Sequence, residues 1–271
     1  MVRAMTDPTP TSPARRPASD PSTIDPESRW FGERAVAPEE KTRLVHGVFS
    51  NVAARYDLMN DLMSGGVHRL WKRRFVAMVR PRPGERVLDV AGGTGDIAFG
   101  LMDVSGGEAR IAVCDLTEGM VRVGRDRAID GGRIHGLDLI VGNAEDLPIA
   151  NRSVDVYAIA FGLRNVTRID RALAEAHRVL RPGGRFFCLE FSHVVLPALA
   201  RAYDAYSHAV IPRLGQWVAR DRESYQYLVE SIRRFPDQPT LARRMAEAGF
   251  ARPRWTNLTA GIAAVHQGWR I

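Results

Sequence analysis

The densest chemistry in this 271-residue chain lies in Arg86-Val87-Leu88-Asp89-Val90-Ala91-Gly92-Gly93-Thr94-Gly95-Asp96. A short apolar run carrying the carboxylate of Asp89 gives way to a glycine turn, and helix-compatible residues follow. A parallel strand hands over to a nucleotide-binding turn in this way. Without a Cβ, Gly92 and Gly93 let backbone N–H groups approach a ligand closely. Gly93-Thr94-Gly95-Asp96-Ile97-Ala98 fits the loose dinucleotide fingerprint with alanine last. Asp115 ends the next apolar run, Ile111-Ala112-Val113-Cys114. A carboxylate there can hold two ribose hydroxyls of NAD or of S-adenosylmethionine. The turn alone leaves both cofactors open, beside a glycine turn that binds nothing.

Later segments separate the two cofactors. After the third apolar run, Leu137 to Val141, comes Gly142-Asn143-Ala144-Glu145-Asp146-Leu147-Pro148. The Asn143 amide can accept from an adenine amino group, and the Ala144 N–H can donate to a ring nitrogen. Such readout of the adenine edge is usual in S-adenosylmethionine-binding sheets. A fourth run, Val154 to Ala160, ends in Phe161-Gly162-Leu163-Arg164-Asn165, and a fifth, Arg185 to Leu189, follows Arg178-Val179-Leu180-Arg181-Pro182-Gly183-Gly184. Ligands of open α/β sheets bind at the carboxyl ends of the strands, and Asp115, Asn143 and Arg164 all fall on that edge.

From about Val48 to its end the chain resembles the ubiquinone/menaquinone biosynthesis C-methyltransferase family. Tyr56-Asp57-Leu58-Met59-Asn60, with Ser64, His68 and Trp71, matches that family's N-terminal signature at the right spacing. Arg178 to Gly184, followed by Glu190 and Ser192, resembles its second signature, with Arg181 where lysine is more usual. Phe161 to Asn165, Ala202 to Ser207 and Asn257 to Gly261 also read as family segments. Ala160 stands where many relatives carry serine near the cofactor. The resemblance implies a class I S-adenosylmethionine-dependent methyltransferase, Rossmann-like, with a doubly wound, mainly parallel seven-stranded sheet and one antiparallel strand at an edge. It implies S-adenosyl-L-methionine as cofactor, held by Asp89, Gly92, Gly93, Thr94, Asp115, Asn143 and Ala144; the lack of a Cys/His cluster with zinc spacing leads to no metal being expected.

The resemblance also implies the reaction: a ring carbon of a polyprenylated quinol attacks the sulfonium methyl group in line. A neutral quinol carbon is a poor nucleophile, whereas a quinolate pushes electron density onto the adjacent carbon. A phenol ionises near pKa 10, so ionisation at pH 7 costs roughly 4 kcal/mol. A nearby guanidinium lowers an acid's pKa by about 1–3 units. Arg164, at the end of the fourth strand, is expected to face the cofactor edge and stabilise the quinolate; the alternative is a salt bridge that fixes the loop. His68 has a suitable unperturbed pKa for a base or a structural role on its helix. Tyr203 can reach the quinol oxygen or serve as scaffold, and Asp57 is a further candidate base. Trp71 reads as a packing residue.

Composition sets the remaining bounds. No run approaches 18 uninterrupted apolar residues, and no charged-then-apolar signal opens the chain. Cys114 and Cys188 read as small core residues in a reducing compartment, and no Cys/His cluster has zinc spacing. These features read as a cytoplasmic protein. Residues 1–40 hold 7 of the 16 prolines, with five arginines against seven acidic residues. That span reads as a disordered tail, and the basic excess lies in the rest of the chain. Residues 41–271 read as one methyltransferase domain, with a cap segment over 41–80 and a helical insertion on the substrate side over 197–236. The clearest helices are expected over 94–104, 120–129 and 171–180, with later ones over 225–235 and 240–248 before final strands over 254–258 and 262–267.

The basic body fits anionic lipid or nucleic acid. Amino-group methylation of bases wants Asp/Asn-Pro-Pro-aromatic after the fourth strand, where this chain has Phe161-Gly162-Leu163-Arg164. Neither cysteine is placed to attack a flipped base. No nucleic acid is expected as partner; the resemblance implies a polyprenylated quinol and other quinone-biosynthesis enzymes, and the basic body an anionic membrane surface at its inner face. A non-catalytic cofactor-binding scaffold is the third reading, opposed by the intact glycine turn and Arg164. Only Lys41 and Lys72 among the 38 basic residues are lysines, which reads as coding bias.

Overall fold

The computed structural model describes residues 30–32, 34–52, 64, 66–195 and 222–271. A two-stranded hairpin, β1 (Trp30–Phe31) and β2 (Arg34–Ala35), precedes helices α1 (Pro38–Val52) and α2 (His68–Val79). Strands and helices then alternate: β3 (Arg86–Val90), α3 (Asp96–Val104), β4 (Arg110–Asp115), α4 (Glu118–Asp130), β5 (Leu137–Val141), β6 (Val154–Ala160), α5 (Ile169–Val179) and β7 (Leu180–Phe191). A short 3-10 turn over Leu163–Asn165 follows β6. Helices α6 (Arg222–Arg234) and α7 (Gln238–Glu247) lead to β8 (Ala251–Leu258) and β9 (Ala263–Trp269).

Seven strands form one sheet in the order β5-β4-β3-β6-β7-β9-β8. The first five are parallel, and β9 runs antiparallel to both its neighbours. The antiparallel strand therefore lies one place in from the edge, where β8 covers it, and not at the edge itself. Winding reverses at β3: the chain passes outward through β4 and β5 and returns to pair β6 on the other side. That reversal leaves a crevice at the carboxyl ends of β3 and β6.

Both faces of the sheet are covered, which explains the nearly unbroken apolar runs. Side chains alternate across each strand. Val87, Val156 and Phe187 pack with Phe75 and Val79 of α2 and Leu101 of α3. Leu88, Tyr157 and Phe186 pack with Leu173 and Ala176 of α5 and Leu241 and Met245 of α7. Both cysteines are buried and unbridged in their strands, where burial pushes the Cys114 thiol up to about 12 and the Cys188 thiol well above its usual range.

Two sequence boundaries shift. The span read as a tail to residue 40 includes the β1–β2 pair and the start of α1 at Pro38; Phe31 stacks on Tyr227 of α6 at 4.2 Å and so gives this segment something to pack on. The strand expected over 185–189 runs from Leu180 to Phe191. Val154 pairs with Leu180 and Val156 with Arg185, so Arg181 to Gly184 is an irregular insert in the ladder. Arg181 pairs with Asp155, and the Gly183 N–H donates to the Arg270 carbonyl, which holds the insert against β9's end. Residues 1–29 and 196–221, with most of the insertion, lie outside the described residues, as do Tyr56, Asp57, Asn60 and Tyr203.

Candidate active site

A cavity of about 1070 Å³, counting its open mouth, occupies the crevice at the carboxyl ends of β3, β4, β5 and β6. Asp89, Gly92, Gly93, Thr94, Asp115, Asn143 and Ala144 all line it. Strand lengths and short turns bring them together: each parallel strand delivers the residues just past its last hydrogen bond to the same edge. A Cβ on Gly92 would sit 2.8 Å from Val113 Cγ1 and 2.9 Å from Asp89 Oδ2, so only glycine lets the turn lie this low.

The glycine turn is held from two sides. The Gly93 N–H donates to Asp115 Oδ2 at 2.9 Å, and the Thr117 N–H donates to Asp115 Oδ1 at 2.9 Å. A carboxylate has about four acceptor positions, and with the Thr117 hydroxyl also favouring its charge, capacity remains for a ligand hydroxyl. Burial raises the Asp115 pKa, opposed by those backbone N–H groups. From α4, Arg127 donates to Thr94 Oγ1 at 2.7 Å and to the Thr94 carbonyl at 3.1 Å, and it pairs with Asp96 at 2.7 Å.

Asp89 is fully buried, and neither carboxylate oxygen makes a close hydrogen bond, although the Ala98 backbone N–H favours its charged form. Burial, with the nearby Asp115 and Asp96 charges, pushes its pKa up to about 8. A buried carboxylate that lacks a close hydrogen bond at a cavity wall is a place for a cationic ligand group. The amino-acid end of S-adenosylmethionine carries such a group, so the residues present fit that cofactor.

Asn143 stands at the cavity edge, as expected. Its Oδ1 accepts from the Glu145 N–H at 2.9 Å, closing an Asx turn that reverses the chain after β5. The side chain lines the cavity, and its oxygen keeps a second acceptor position beside that bond.

Arg164 does not line the cavity. Its side chain is fully buried, and Nη1 donates to Glu190 Oε1 and to the Phe161 carbonyl, each at 2.7 Å. Its guanidinium lies over the Phe191 ring, 5.3 Å from the centroid. The expectation that it faces the cofactor edge is corrected for a physical reason. Ala160 pairs with Leu189, which brings the next residue of β7, the buried Glu190, beside the turn after β6. A buried carboxylate needs a counter-charge, and Arg164 supplies it. The pair fixes a turn whose Phe161, Gly162 and Asn165 form part of the cavity wall. His68 is also buried away from the cavity: its Nδ1 lies 3.2 Å from Ser64 Oγ, which accepts from the His68 N–H at 3.1 Å. Trp71 packs edge-on to Phe191, and its Nε1 donates to Thr259 Oγ1 at 2.8 Å.

Residues that sequence reading missed come from the N-terminal helices. Thr42, Val45 and His46 of α1 and Lys72 of α2 line the cavity, as do Asp96, Thr117 and Thr167. Lys72 Nζ donates to Asp96 Oδ2 at 2.9 Å, and Thr42 Oγ1 lies 2.7 Å from Thr167 Oγ1. Burial opposes ionisation of Asp96, but the Lys72 and Arg127 charges outweigh it and hold its pKa at about 2. Lys72 is one of two lysines in the chain, a scarcity that reads from sequence as coding bias and not as a sign of a site.

Arg164→Met leaves Glu190 buried without its cation, a change that costs about 3–5 kcal/mol. Chemical denaturation should show that loss, and adding Glu190→Gln should recover more than half of it, because the residual charge is then removed. A single variant as stable as the wild type would mean that the pair does not hold the turn.

Comparison with known proteins agrees with this geometry. The model of the ubiE/COQ5 methyltransferase family matches residues 35–270. The chain is 58% identical over 247 residues to a ubiquinone/menaquinone biosynthesis C-methyltransferase of Paracoccus denitrificans, covering 91% of this chain and 98% of that one. It is 56% identical to the protein of the same description from Cereibacter sphaeroides, covering 89% and 96%. Among solved structures it resembles an S-adenosylmethionine-dependent methyltransferase from Thermotoga maritima (TM-score 0.60, 20% identity, 84% of this chain and 100% of that one). Another such enzyme from Aquifex aeolicus matches with TM-score 0.55 and 14% identity, over 74% of this chain and 89% of that one. With the family model spanning nearly the whole of the described fold, the chain belongs to the ubiE/COQ5 methyltransferase family.

Proposed function

We propose that the protein is an S-adenosylmethionine-dependent C-methyltransferase acting on a ring carbon of a polyprenylated quinol in ubiquinone or menaquinone biosynthesis. Membership of the family carries the reading, supported by relatives of that description at 54–58% identity over about nine tenths of the chain. The buried Asp89 carboxylate beside the glycine turn supports the cofactor independently. When bound, S-adenosylmethionine supplies an electrophilic methyl group on a sulfonium.

The chain's own residues hold and orient. Asp115 takes a ribose hydroxyl with its remaining acceptor capacity. Asp89 takes the ammonium of the amino-acid end. Gly92, Gly93 and Thr94 let the backbone close under the ligand, and Ala144 sits at the adenine end. Val45, Met120, Ala160 and Phe161 give the cavity apolar wall, which excludes water from the transfer. With Arg164 committed to Glu190, quinolate stabilisation passes to the segments before α2 and after β7. Tyr203 is the residue proposed to meet the quinol oxygen, with Asp57 as a further candidate base.

A membrane surface is the proposed meeting place with the substrate, because a polyprenyl tail partitions into lipid. Among the described residues no helix is long and apolar enough to cross a membrane. The chain carries 38 basic against 31 acidic residues, and the arginines between Arg201 and Arg254 are the proposed contact with anionic headgroups.

Turnover of a short-chain demethylated quinol under anaerobic conditions, with RNA tested in parallel, decides the activity; methylation of RNA alone would overturn it. Asp115→Ala should weaken S-adenosylhomocysteine binding by about tenfold or more in calorimetry, as expected when buried hydroxyls lose their acceptor. Unchanged affinity in the folded variant, or tight NAD binding to the wild type, would remove the assignment.

Asp89 predicts a proton linkage. With a pKa of about 8 it is mostly protonated at pH 7 in the unliganded protein. An ammonium beside it favours the carboxylate, so binding expels a proton. Affinity should rise with pH toward 8 and fall again where the ligand's own amino group loses its proton. Calorimetry at pH 7 in buffers of different ionisation enthalpy should show close to one proton released per S-adenosylhomocysteine bound, and Asp89→Asn should abolish that release.

Flotation with anionic liposomes should show binding that falls as salt rises. Binding unchanged at high salt would mean apolar insertion or a protein partner.

A further inference from the structure

The outward face of α2 takes no part in the cavity. Leu70, Arg73, Arg74 and Ala77 recur at the spacing of one helix face, and all four are exposed. The opposite face buries Trp71, Phe75, Val76 and Val79. Arg80 follows at the helix end and Arg82 in the turn before β3, both exposed. The patch runs for about 15 Å along the helix axis, and the helix carries no carboxylate.

Neighbouring elements do not neutralise these charges. Arg73, Arg74, Arg80 and Arg82 make no side-chain hydrogen bond or ion pair among the described residues. The helix packed beside α2 is α3, and both of its carboxylates are taken: Asp96 by Lys72 and Arg127, Asp103 by Arg133. Glu85, just before β3, pairs with Arg185 and accepts from the Arg82 N–H. Other exposed arginines are answered on their own helices, Arg122 by Glu118 on α4 and Arg243 by Glu247 on α7. The end of a helix favours a cation such as Arg80, but that does not account for Arg73 and Arg74. Past the end of α2 lies a groove of about 940 Å³, counting its open mouth, lined by Ala77, Met78, Pro81 and Val104 together with Arg80 and Arg82. Leu70 is 60% exposed and Val104 48% exposed, so apolar side chains stand among the cations.

We propose that this face of α2, with the groove at its end, is a docking surface for an anionic phospholipid bilayer, in addition to the arginines of the later segments. The inference rests on the reading that the quinol is met at a membrane. Four like charges without a counter-charge in the protein are relieved by lipid phosphates, and a guanidinium fork can hold a phosphate by two hydrogen bonds. Leu70 and Val104 beside them suit the boundary between headgroups and acyl chains. A single-stranded nucleic acid would instead want aromatic stacking surfaces, and the aromatic residues of α2, Trp71 and Phe75, are both buried. Lys72, the neighbour of Arg73, lines the cofactor cavity. One helix therefore touches lipid on its outer side and roofs the cavity on its inner side. Docking on α2 sets the cavity beside the bilayer, so a polyprenyl tail can stay in lipid while its ring reaches the methyl donor.

The test is flotation of the full chain with vesicles of phosphatidylcholine containing phosphatidylglycerol. Changing Arg73→Gln, Arg74→Gln and Arg80→Gln together should weaken binding by about 100-fold, the combined effect of three basic residues at a charged surface. Turnover of a short-chain quinol, which needs no bilayer, should stay at the wild-type level. Lysine at the same three positions should keep most of the binding, because the charge remains. Changing Arg122→Gln, Arg125→Gln and Arg133→Gln removes the same charge from residues already paired with carboxylates and should cost far less. A second measurement stands should the glutamine set unfold. A polarity-sensitive dye on Leu70→Cys should shift to the blue with anionic vesicles, and one on Val141→Cys, at the end of the edge strand β5, should not; the two native cysteines are buried and do not compete for label. Undiminished flotation of the glutamine set, an equal loss in the α4 set, or no shift at Leu70 would overturn the proposal and leave the membrane reading in place. Capture of single-stranded RNA in preference to vesicles would make the face a nucleic-acid surface and overturn it too. Failure of the wild type to float with anionic vesicles would instead overturn the membrane reading on which it rests.

Discussion

Three carboxylates, those of Asp89, Asp96 and Asp115, converge beneath one glycine turn, and removing a carboxylate from water is the constraint that organises the site. Each meets it differently. Asp96 is neutralised by Lys72 and Arg127 and stays ionised to about pH 2. Asp115 accepts two backbone N–H groups and thereby pins the turn to β4. Asp89 makes no close hydrogen bond, and burial pushes its pKa up to about 8. The turn is stable because two of the charges are answered within the protein.

The sheet makes that convergence possible. Because the winding reverses at β3, the turns that follow β3 and β6 face each other across the crevice. They touch: a Cβ on Gly162 would lie 2.4 Å from that of Ala91. Ala91 and Phe161, with φ of 51° and 54°, both hold a left-handed conformation that costs energy for residues with a Cβ. The surrounding packing holds them there. Behind the second turn, the Arg164–Glu190 pair and the Tyr227 hydroxyl, which donates to Asn165 Oδ1 at 3.1 Å, anchor it from β7 and α6. Arg164 thus shapes the cavity without entering it.

The opposite wall comes from α1 and α2, which are not part of the alternating strand–helix core. Lys41 Nζ reaches the Val166 carbonyl at 3.2 Å, and Thr42 meets Thr167 beside it, so α1 closes onto the loop between the 3-10 turn and α5. Trp71 carries α2 onto Phe191 and Thr259. These bonds, with apolar packing of Phe75 and Val79 on the sheet, join the roof of N-terminal helices to the floor of strand ends.

By itself the sequence determined the alternating strands and helices, the buried glycine turn, the edge on which Asp89, Asp115, Asn143 and Ala144 stand, and, through the signature around Tyr56 to Trp71, the family. These follow from side-chain periodicity and from turn chemistry within a few residues, which the chain carries locally. The tertiary structure decided the rest. The segment before residue 40 is not a tail throughout, because Phe31 finds Tyr227. The strand expected over 185–189 is longer, because β6 and β9 offer it partners on both sides. The antiparallel strand is internal, because β8 pairs beyond it. Most of all, the direction of Arg164 depended on a carboxylate 26 residues away in sequence, and the place of Lys72 on one 24 residues away. An arginine at a strand end can turn toward a ligand or toward a buried counter-charge. Which of these it does is set by the register of the neighbouring strand, and that register exists only once the sheet has formed.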